Sequence, residues 1–392
     1  MGISQNWTTQ ERDVFSMEEK AYHNPRKKIS VLINGKYLAG GPTAVHLVAD
    51  EIIKEIFQIY NHSTYLKSNY DIELAVPVTG VMRATELGLA CTVLRPFSGI
   101  PWEQLTLPIL TRNSLVLSFC NSGPVFRTEA VTMMHDAQVF IVPQSYDGAT
   151  RVWRKFLMKV CGLNNGKILT VSRFSREQLI NCNIAPARKI DVVYNGVCHV
   201  ADSDSDPRIL EQLGISKETG YFTGLANVQP HKNISVLLKA FQRSSISRYK
   251  LVLFGGAKKS DFESAGIAIP DNVIFAGYVS NEELKCLYEN AIAMCFPSTT
   301  EGFGLPPLES MSLGTPAIVS PCGALPEILK DAVLYANADN PDDWEKSIRT
   351  FAEIKCIRDS YSTKGKLRAK KYTWNNAANQ VLKLIDSYAS QR

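Results

Sequence analysis

A chain of 392 residues is too long for one ordinary domain and suits two of about 150 to 200 residues each. At 45% hydrophobic and 21% charged it is globular, and its nine cysteines, an odd number with no CxxC pair and no two closer than Cys286 and Cys295, argue against a disulfide framework and for a reduced, cytoplasmic setting. The net charge of +5 sits in residues 1–200, which carry 21 Lys or Arg against 16 Asp or Glu, while the remainder balances at 22 against 22; without a dense basic cluster and interleaved aromatics, nucleic acid is excluded as a partner.

The basic half suits an anionic acceptor or a lipid surface, with a solvated face as the plain alternative. No apolar run approaches the roughly 20 residues of a membrane span, and the polar, mixed-charge stretch 1–28 is unlike a signal peptide, so the expectation is a soluble chain or one peripheral to a membrane.

In chain order, residues 29–33, 72–76, 92–94, 115–118, 168–171 and 190–193 read as buried strands of a parallel sheet. Gly40-Gly41 follows the first of them and precedes a helix from about Thr43, so it either brings backbone amides to a phosphate or simply makes a turn. The mostly apolar run 130–134 ends in His135-Asp136, which places a histidine at the cleft end of a strand; a lone histidine is more often structural. Ser175 and Gln178 have capping-box spacing and predict a helix opening at Ser175. The acidic segment ADSDSDP (201–207) reads as a linker, and its carboxylates as a solvated loop, not a metal site.

The pattern then repeats, with strands over 221–223, 251–254, 273–275, 292–296 and 317–320. Ile234, Leu237, Leu238 and Phe241 have helical spacing, as do Leu284, Leu287, Tyr288 and Ala291 behind a capping box of Ser280 and Glu283. Gly255-Gly256 lacks a GxGxxG continuation, which argues against a dinucleotide-dependent dehydrogenase. A last amphipathic helix carries Val381, Leu384, Ile385 and Tyr388 on one side.

Two segments carry the chemistry. EGFGLPPLE (301–309) follows a strand, and its helix starts with Pro-Pro and stops at Gly314. Gly302 and Gly304 let the backbone approach a ligand, and the helix start offers amide groups to a phosphate. Glu301 and Glu309 would repel phosphate, so they are better explained as acceptors for hydroxyl groups; a ligand with both features is a nucleotide sugar. In NVQPHKN (227–233), Lys232 stands at a helix N-terminus, where a cation opposes the dipole unless an anion sits in front of it.

Together EGFGLPPLE, the HKN segment, the His-Asp pair and the glycine pair resemble retaining glycosyltransferase family 4 of the GT-B fold. VSRFSREQL (171–179), VVYNGV (192–197), GYVSNEEL (277–284) and KKYTW (370–374) follow in the family's order, so the resemblance covers nearly the whole chain. It implies two doubly wound Rossmann-like α/β domains facing a central cleft: an acceptor domain over 1–200 on which the C-terminal helix 374–392 packs back, and a donor domain over 208–373. It implies that Glu309 binds the donor ribose, that Glu301 contacts donor-sugar hydroxyls, and that Phe303, Gly304 and Leu305 offer backbone contacts. Lys232 would neutralise the leaving diphosphate, Val279 would lie near the base, Gly41 would approach the diphosphate and His135 would hydrogen-bond the sugars. Asn227 stands where many members carry an arginine, which shifts the charge burden onto Lys232.

The reaction implied is hexosyl transfer from a nucleotide-sugar donor to a saccharide acceptor, lipid-linked in surface polysaccharide synthesis, with retained configuration and with neither cofactor nor metal. The glutamates are then not the flanking pair of a retaining glycosidase. Val152, Trp153, Phe156, Leu157 and Val160 interleave with Arg151, Arg154, Lys155 and Lys159 in a pattern that suits either peripheral membrane contact or core packing. Two other functions stay open. A nucleotide-sugar epimerase shares the fold but fits the two motifs poorly, and a silent nucleotide-sugar binding partner would more naturally have lost Glu301 or Lys232.

Overall fold

The computed structural model describes residues 28–390 apart from 42 and 217. Residues 1–27, on which the expectation about a signal peptide mostly rests, lie outside the described residues, as do 391 and 392 of the expected C-terminal segment.

The strands form two parallel sheets. The first contains β1 (Ile29–Asn34), β2 (Tyr70–Val76), β3 (Thr92–Val93), β4 (Leu115–Ser118), β5 (Ala130–Met133), β6 (Lys167–Thr170) and β7 (Ile190–Val192), in the order β3-β2-β1-β4-β5-β6-β7. The second contains β8 (Tyr221–Leu225), β9 (Lys250–Phe254), β10 (Val273–Gly277), β11 (Ala293–Phe296), β12 (Ala317–Val319) and β13 (Leu334–Tyr335), in the order β10-β9-β8-β11-β12-β13. Helices cover both faces, so central strands such as β4 and β11 are buried throughout and are apolar without alternation. The strand order reverses between β1 and β4 and again between β8 and β11, which opens a crevice at the carboxyl ends of each sheet.

The two-residue strand β13 was not predicted; it is too short to give a periodic signal. The expected helix start at Ser175 is corrected to Arg173. Ser172 has the extended backbone of a cap and its Oγ accepts the Ser175 amide, while Ser175 lies within the first turn. Ser280 and Glu283 do form a reciprocal capping box.

Two chain crossings join the sheets, one after β7 and one before the helix Trp374–Ser390. That last helix returns to the first sheet, where it packs on the helix Ala44–His62. Asn375 donates to Glu55, Tyr65 and Tyr70 donate to Asp386, and Tyr388 donates to the Thr128 carbonyl. The crossings pass each other at Gly196, where a β-carbon would lie 2.2 Å from the Trp374 nitrogen and 2.6 Å from the Thr373 carbonyl carbon. The largest apolar cluster accordingly includes Val31 and Leu117 of the first sheet, Met294 and Val319 of the second, and Tyr372, Trp374 and Ala377 of the second crossing.

A methyl group at Gly196 meets rigid backbone, so Gly196→Ala is expected to cost about 1–3 kcal/mol of stability through overpacking. Urea denaturation checks this, and an unchanged midpoint would show that the crossings can separate at no cost.

Candidate active site

The candidate site is built from loops at the carboxyl ends of the strands. Lys232 belongs to a short turn, Pro230–Lys232, which leads into the helix Ile234–Phe241. The turn reverses at Asn233, which has the left-handed φ of 53° that asparagine tolerates and whose amide donates to the carbonyls of Pro297 and Ala338. This delivers Lys232 Nζ to 2.7 Å from Glu301 Oε1, with both side chains mostly buried and Nζ 5.9 Å from the Phe296 ring centre.

Glu301 is fixed through its backbone. Its carbonyl accepts the Ala324 amide, and Gly323, at φ 62°, packs so closely that a β-carbon would sit 2.4 Å from the Glu301 nitrogen. The helix Leu305–Leu313 starts after Gly304, at φ 98°, with no side-chain cap, and ends at Gly314. Its first turn contains two prolines, so the amides of Gly304 and Leu305 are the donors it offers at the cleft.

The first sheet meets this loop directly. His135 is buried at the end of β5; its Nε2 lies 2.8 Å from the Phe119 carbonyl, and its amide donates to Asn121 Oδ1. Gly302 closes on it so tightly that a β-carbon there would lie 2.7 Å from the His135 carbonyl oxygen and 3.2 Å from Asp136 Cβ. Ser172 and Ser175 both donate to the Gly302 carbonyl at 2.7 and 3.2 Å. Ser145 Oγ lies 3.0 Å from His231 Nδ1, and Gln229 donates to the Ser145 carbonyl.

Burial pushes the Asp136 carboxyl up, and the negative charge of Glu301 adds to this while the Gln138 amide and Lys232 oppose it. Burial pulls His135 down to about 4, against its contact with the Phe119 carbonyl, so the ring is neutral at ordinary pH. The site thus presents a neutral histidine, a carboxyl disposed to hold its proton, and an ammonium paired with a carboxylate.

The remaining expected residues are more dispersed. Glu309 is buried on the inner face of its helix, away from Lys232, with Oε1 3.3 Å from His199 Nε2. Phe303 turns its ring into the core, edge-on to Tyr372 at 5.6 Å, and Leu305 packs beside the same cluster. Val279 follows β10 and packs against two apolar clusters. Asn227 follows β8 and its Oδ1 accepts the Gln229 amide, which shapes the turn before Lys232. Gly41 is exposed with open space around it; the loop before it is held by Arg83, which donates to the Gly40 carbonyl and pairs with Asp50 at 2.8 Å.

Sequence reasoning missed His199, Tyr288, Ser172 and Glu327. Glu327 accepts the amides of Arg173 and Phe174 and the hydroxyl of Tyr194, so a carboxylate of the second domain caps a helix of the first. The polar start of that helix could have flagged an anion partner, but no local signal identified which one.

The two sheets, their facing crevices and the returning C-terminal helix define the GT-B architecture. The glycosyl transferases group 1 family model matches residues 205–368. The chain is 30% identical over 260 residues to the O-antigen chain mannosyltransferase RfbU of Salmonella typhimurium, covering 64% of this chain and 69% of the relative. It is 32% identical over 269 residues to the O-antigen chain mannosyltransferase B of Escherichia coli, with the same shares. Among solved structures it is similar in fold to Anabaena HepE in complex with UDP-glucose, at a TM-score of 0.69 and 15% identity over 92% of this chain and 100% of that one. It is likewise similar to WaaG, a glycosyltransferase involved in lipopolysaccharide biosynthesis, at 0.65 and 12% over 91% and 99%. The chain belongs to the glycosyl transferases group 1 family and is a glycosyltransferase.

His135 also has a linkage consequence. Its pKa is about 4 when folded against about 6.5 when unfolded, so the unfolded chain takes up a proton first and stability is lost as pH falls from about 6.5 toward 4. His135→Gln is expected to remove about 3 kcal/mol of that acid-side loss. Urea midpoints at several pH values, compared with wild type, check it; parallel curves would contradict the neutral buried ring.

Proposed function

We propose that the chain is a retaining glycosyltransferase of family 4 that transfers a hexosyl group from a nucleotide-diphosphate sugar to a hydroxyl of a lipid-linked saccharide in surface polysaccharide synthesis. It would act in the cytoplasm at the inner face of the membrane, with the first domain binding the acceptor and the second the donor. Because the relatives RfbU and mannosyltransferase B are O-antigen chain mannosyltransferases, a mannosyl nucleotide is the first donor to test. The observation that carries the proposal is the contact of Lys232 with Glu301 beside an uncapped helix start, where an ammonium and free amides meet at the cleft.

In this reading the amides of Gly304 and Leu305 and the ammonium of Lys232 bind the diphosphate, and Lys232 counters the charge that grows as the glycosidic oxygen leaves. Glu301 accepts from sugar hydroxyls, oriented for that task by its contact with Lys232. Glu309 takes the ribose hydroxyls. Neutral His135 hydrogen-bonds the sugar and takes no proton. The leaving diphosphate accepts the proton of the attacking hydroxyl, so the new bond forms on the face from which the old one breaks and configuration is retained.

The exposed surface of the first domain supports contact with a membrane. On the helix Gly148–Asn164, Leu157 and Met158 enter the core while Val152, Trp153 and Phe156 stay exposed. The rings of Trp153 and Phe156 stack at 5.7 Å, with Arg151, Arg154, Lys155 and Lys159 on the same helix. Among the described residues no helix is long and apolar enough to cross a membrane.

A mannosyl nucleotide is expected to raise the melting temperature of wild type but not of Glu309→Ala. Lys232→Ala is expected to lower kcat by about 10²–10³-fold. A product of inverted configuration by NMR would overturn the retaining assignment, and no shift with any hexosyl nucleotide would overturn the donor assignment.

The protein is also expected to sediment with anionic vesicles at low salt and to lose this with Trp153→Ala/Phe156→Ala or with added salt. Failure of wild type to sediment would count against membrane contact.

A further inference from the structure

The segment EGFGLPPLE (301–309) is tied to the crossing point of the two domains at both of its ends. At one end Phe303 meets Tyr372 of the second crossing, and Tyr372 in turn meets Tyr194 of the first at 5.9 Å. At the other end Glu309 meets His199, which lies three residues past the tight contact of Gly196 with Trp374. The His199 ring stands 6.0 Å from the Trp374 ring, and its side chain and that of Glu309 are 6% and 7% exposed. A buried imidazole and a buried carboxylate in contact are costly unless they serve each other, because each loses its water.

We propose that His199 is a positioning residue that fixes the Glu309 carboxylate for the donor nucleotide through a titratable hydrogen bond, so that the joint between the domains sets nucleotide affinity. This rests on the reading of Glu309 as the acceptor for ribose hydroxyls. His199 Nε2, 3.3 Å from Oε1, donates to it and turns the carboxylate, while hydroxyl groups of the ligand use the other lone pairs. His199 is borne by the first crossing and braced by Trp374, and its segment is also held to the second domain, where Lys285 donates to the carbonyls of Ala201 and Ser203, so the contact sits at the joint itself.

The charged surroundings fix the direction of the pH effect. Burial alone would lower His199, but the hydrogen bond to Glu309, its charge and that of Glu51 outweigh burial and the opposing charge of Lys54, leaving the pKa raised. From a third side Tyr288 faces Glu309, and burial together with that charge holds the phenol in its neutral form. His199 is therefore a cation at the acid end of the ordinary range and loses its charge as pH rises through its raised pKa, which weakens its hold on Glu309.

The test is calorimetric titration of wild type, His199→Gln and His199→Ala with GDP, UDP and dTDP, with melting temperatures as a folding control. The glutamine amide still donates to Glu309 but does not titrate. His199→Ala is expected to bind the preferred nucleotide roughly tenfold more weakly than wild type, and His199→Gln to recover most of that loss. Between about pH 6 and pH 8.5, wild-type affinity is expected to fall about fivefold relative to His199→Gln, a ratio in which phosphate ionisation cancels. A ratio that does not change with pH, or a His199→Ala protein that binds as tightly as wild type, overturns the proposal. If wild type binds none of the three nucleotides, the reading of Glu309 fails instead, an outcome distinct from nucleotide binding that ignores His199.

Discussion

Where the two crossings pass at Gly196 and Trp374, two backbones approach with no side chain between them. Residues that start there reach both ends of the segment 301–309 and the carboxylate of Glu327. Tyr194 goes to Glu327, Tyr372 goes to the ring of Phe303, and His199 goes to Glu309. A joint of packed aromatic rings and buried charge has few intermediate arrangements, because interiors this dense shift between discrete packings and do not deform smoothly. The joint and the segment 301–309 therefore form one coupled assembly, whose contacts exchange between discrete arrangements.

Electrostatics divides that assembly in two. Glu301 and Glu309 lie eight residues apart on one loop and helix, yet one is paired with the ammonium of Lys232 and the other with the imidazole of His199. A primary ammonium stays charged across the ordinary pH range, whereas an imidazole does not. The two carboxylates thus face different kinds of base, and the His199 contact is the one that sits at the joint between the domains. Asp136, with its carboxyl pushed up beside Glu301, adds no full negative charge when it holds its proton, which limits repulsion where a diphosphate would approach.

Much of the fold was legible in the chain because its signals are local. The helix Leu305–Leu313 is bounded by Pro-Pro at its start and Gly at its stop, and Ile234–Phe241 has one apolar stripe that fits a single period. The errors arise where the deciding contact is not local. Ser172 and Ser175 are spaced so that either could cap a helix, and the tie is broken by the Gly302 carbonyl, which lies more than a hundred residues away and takes both hydroxyls. Of the candidate site, charge logic called for an anion in front of Lys232 and looked for it in a ligand's phosphate; the meeting of Lys232 with Glu301 was not foreseen. His199 and Glu327 were invisible because each acts only through a partner brought to it by the fold.

The contacts across the cleft also bear on what the enzyme must do in a cycle. Gly302 is wedged against His135 and Asp136, its carbonyl takes two serine hydroxyls, and Ser145 meets His231. These are neutral bonds worth about 1 kcal/mol each, and a few of them can be exchanged for water at modest cost. The apolar cluster around Tyr372 and Trp374 is different in kind, because opening it would expose aromatic area at about 25 cal/mol per Å². Opening of the cleft is therefore cheapest as rotation about the aromatic joint, with the polar bonds of the cleft breaking and the joint staying closed. In such a rotation Glu301 and Lys232, both carried by the second domain, keep their pair, and the contacts that give are those of the Gly302 carbonyl with Ser172 and Ser175 and of Ser145 with His231.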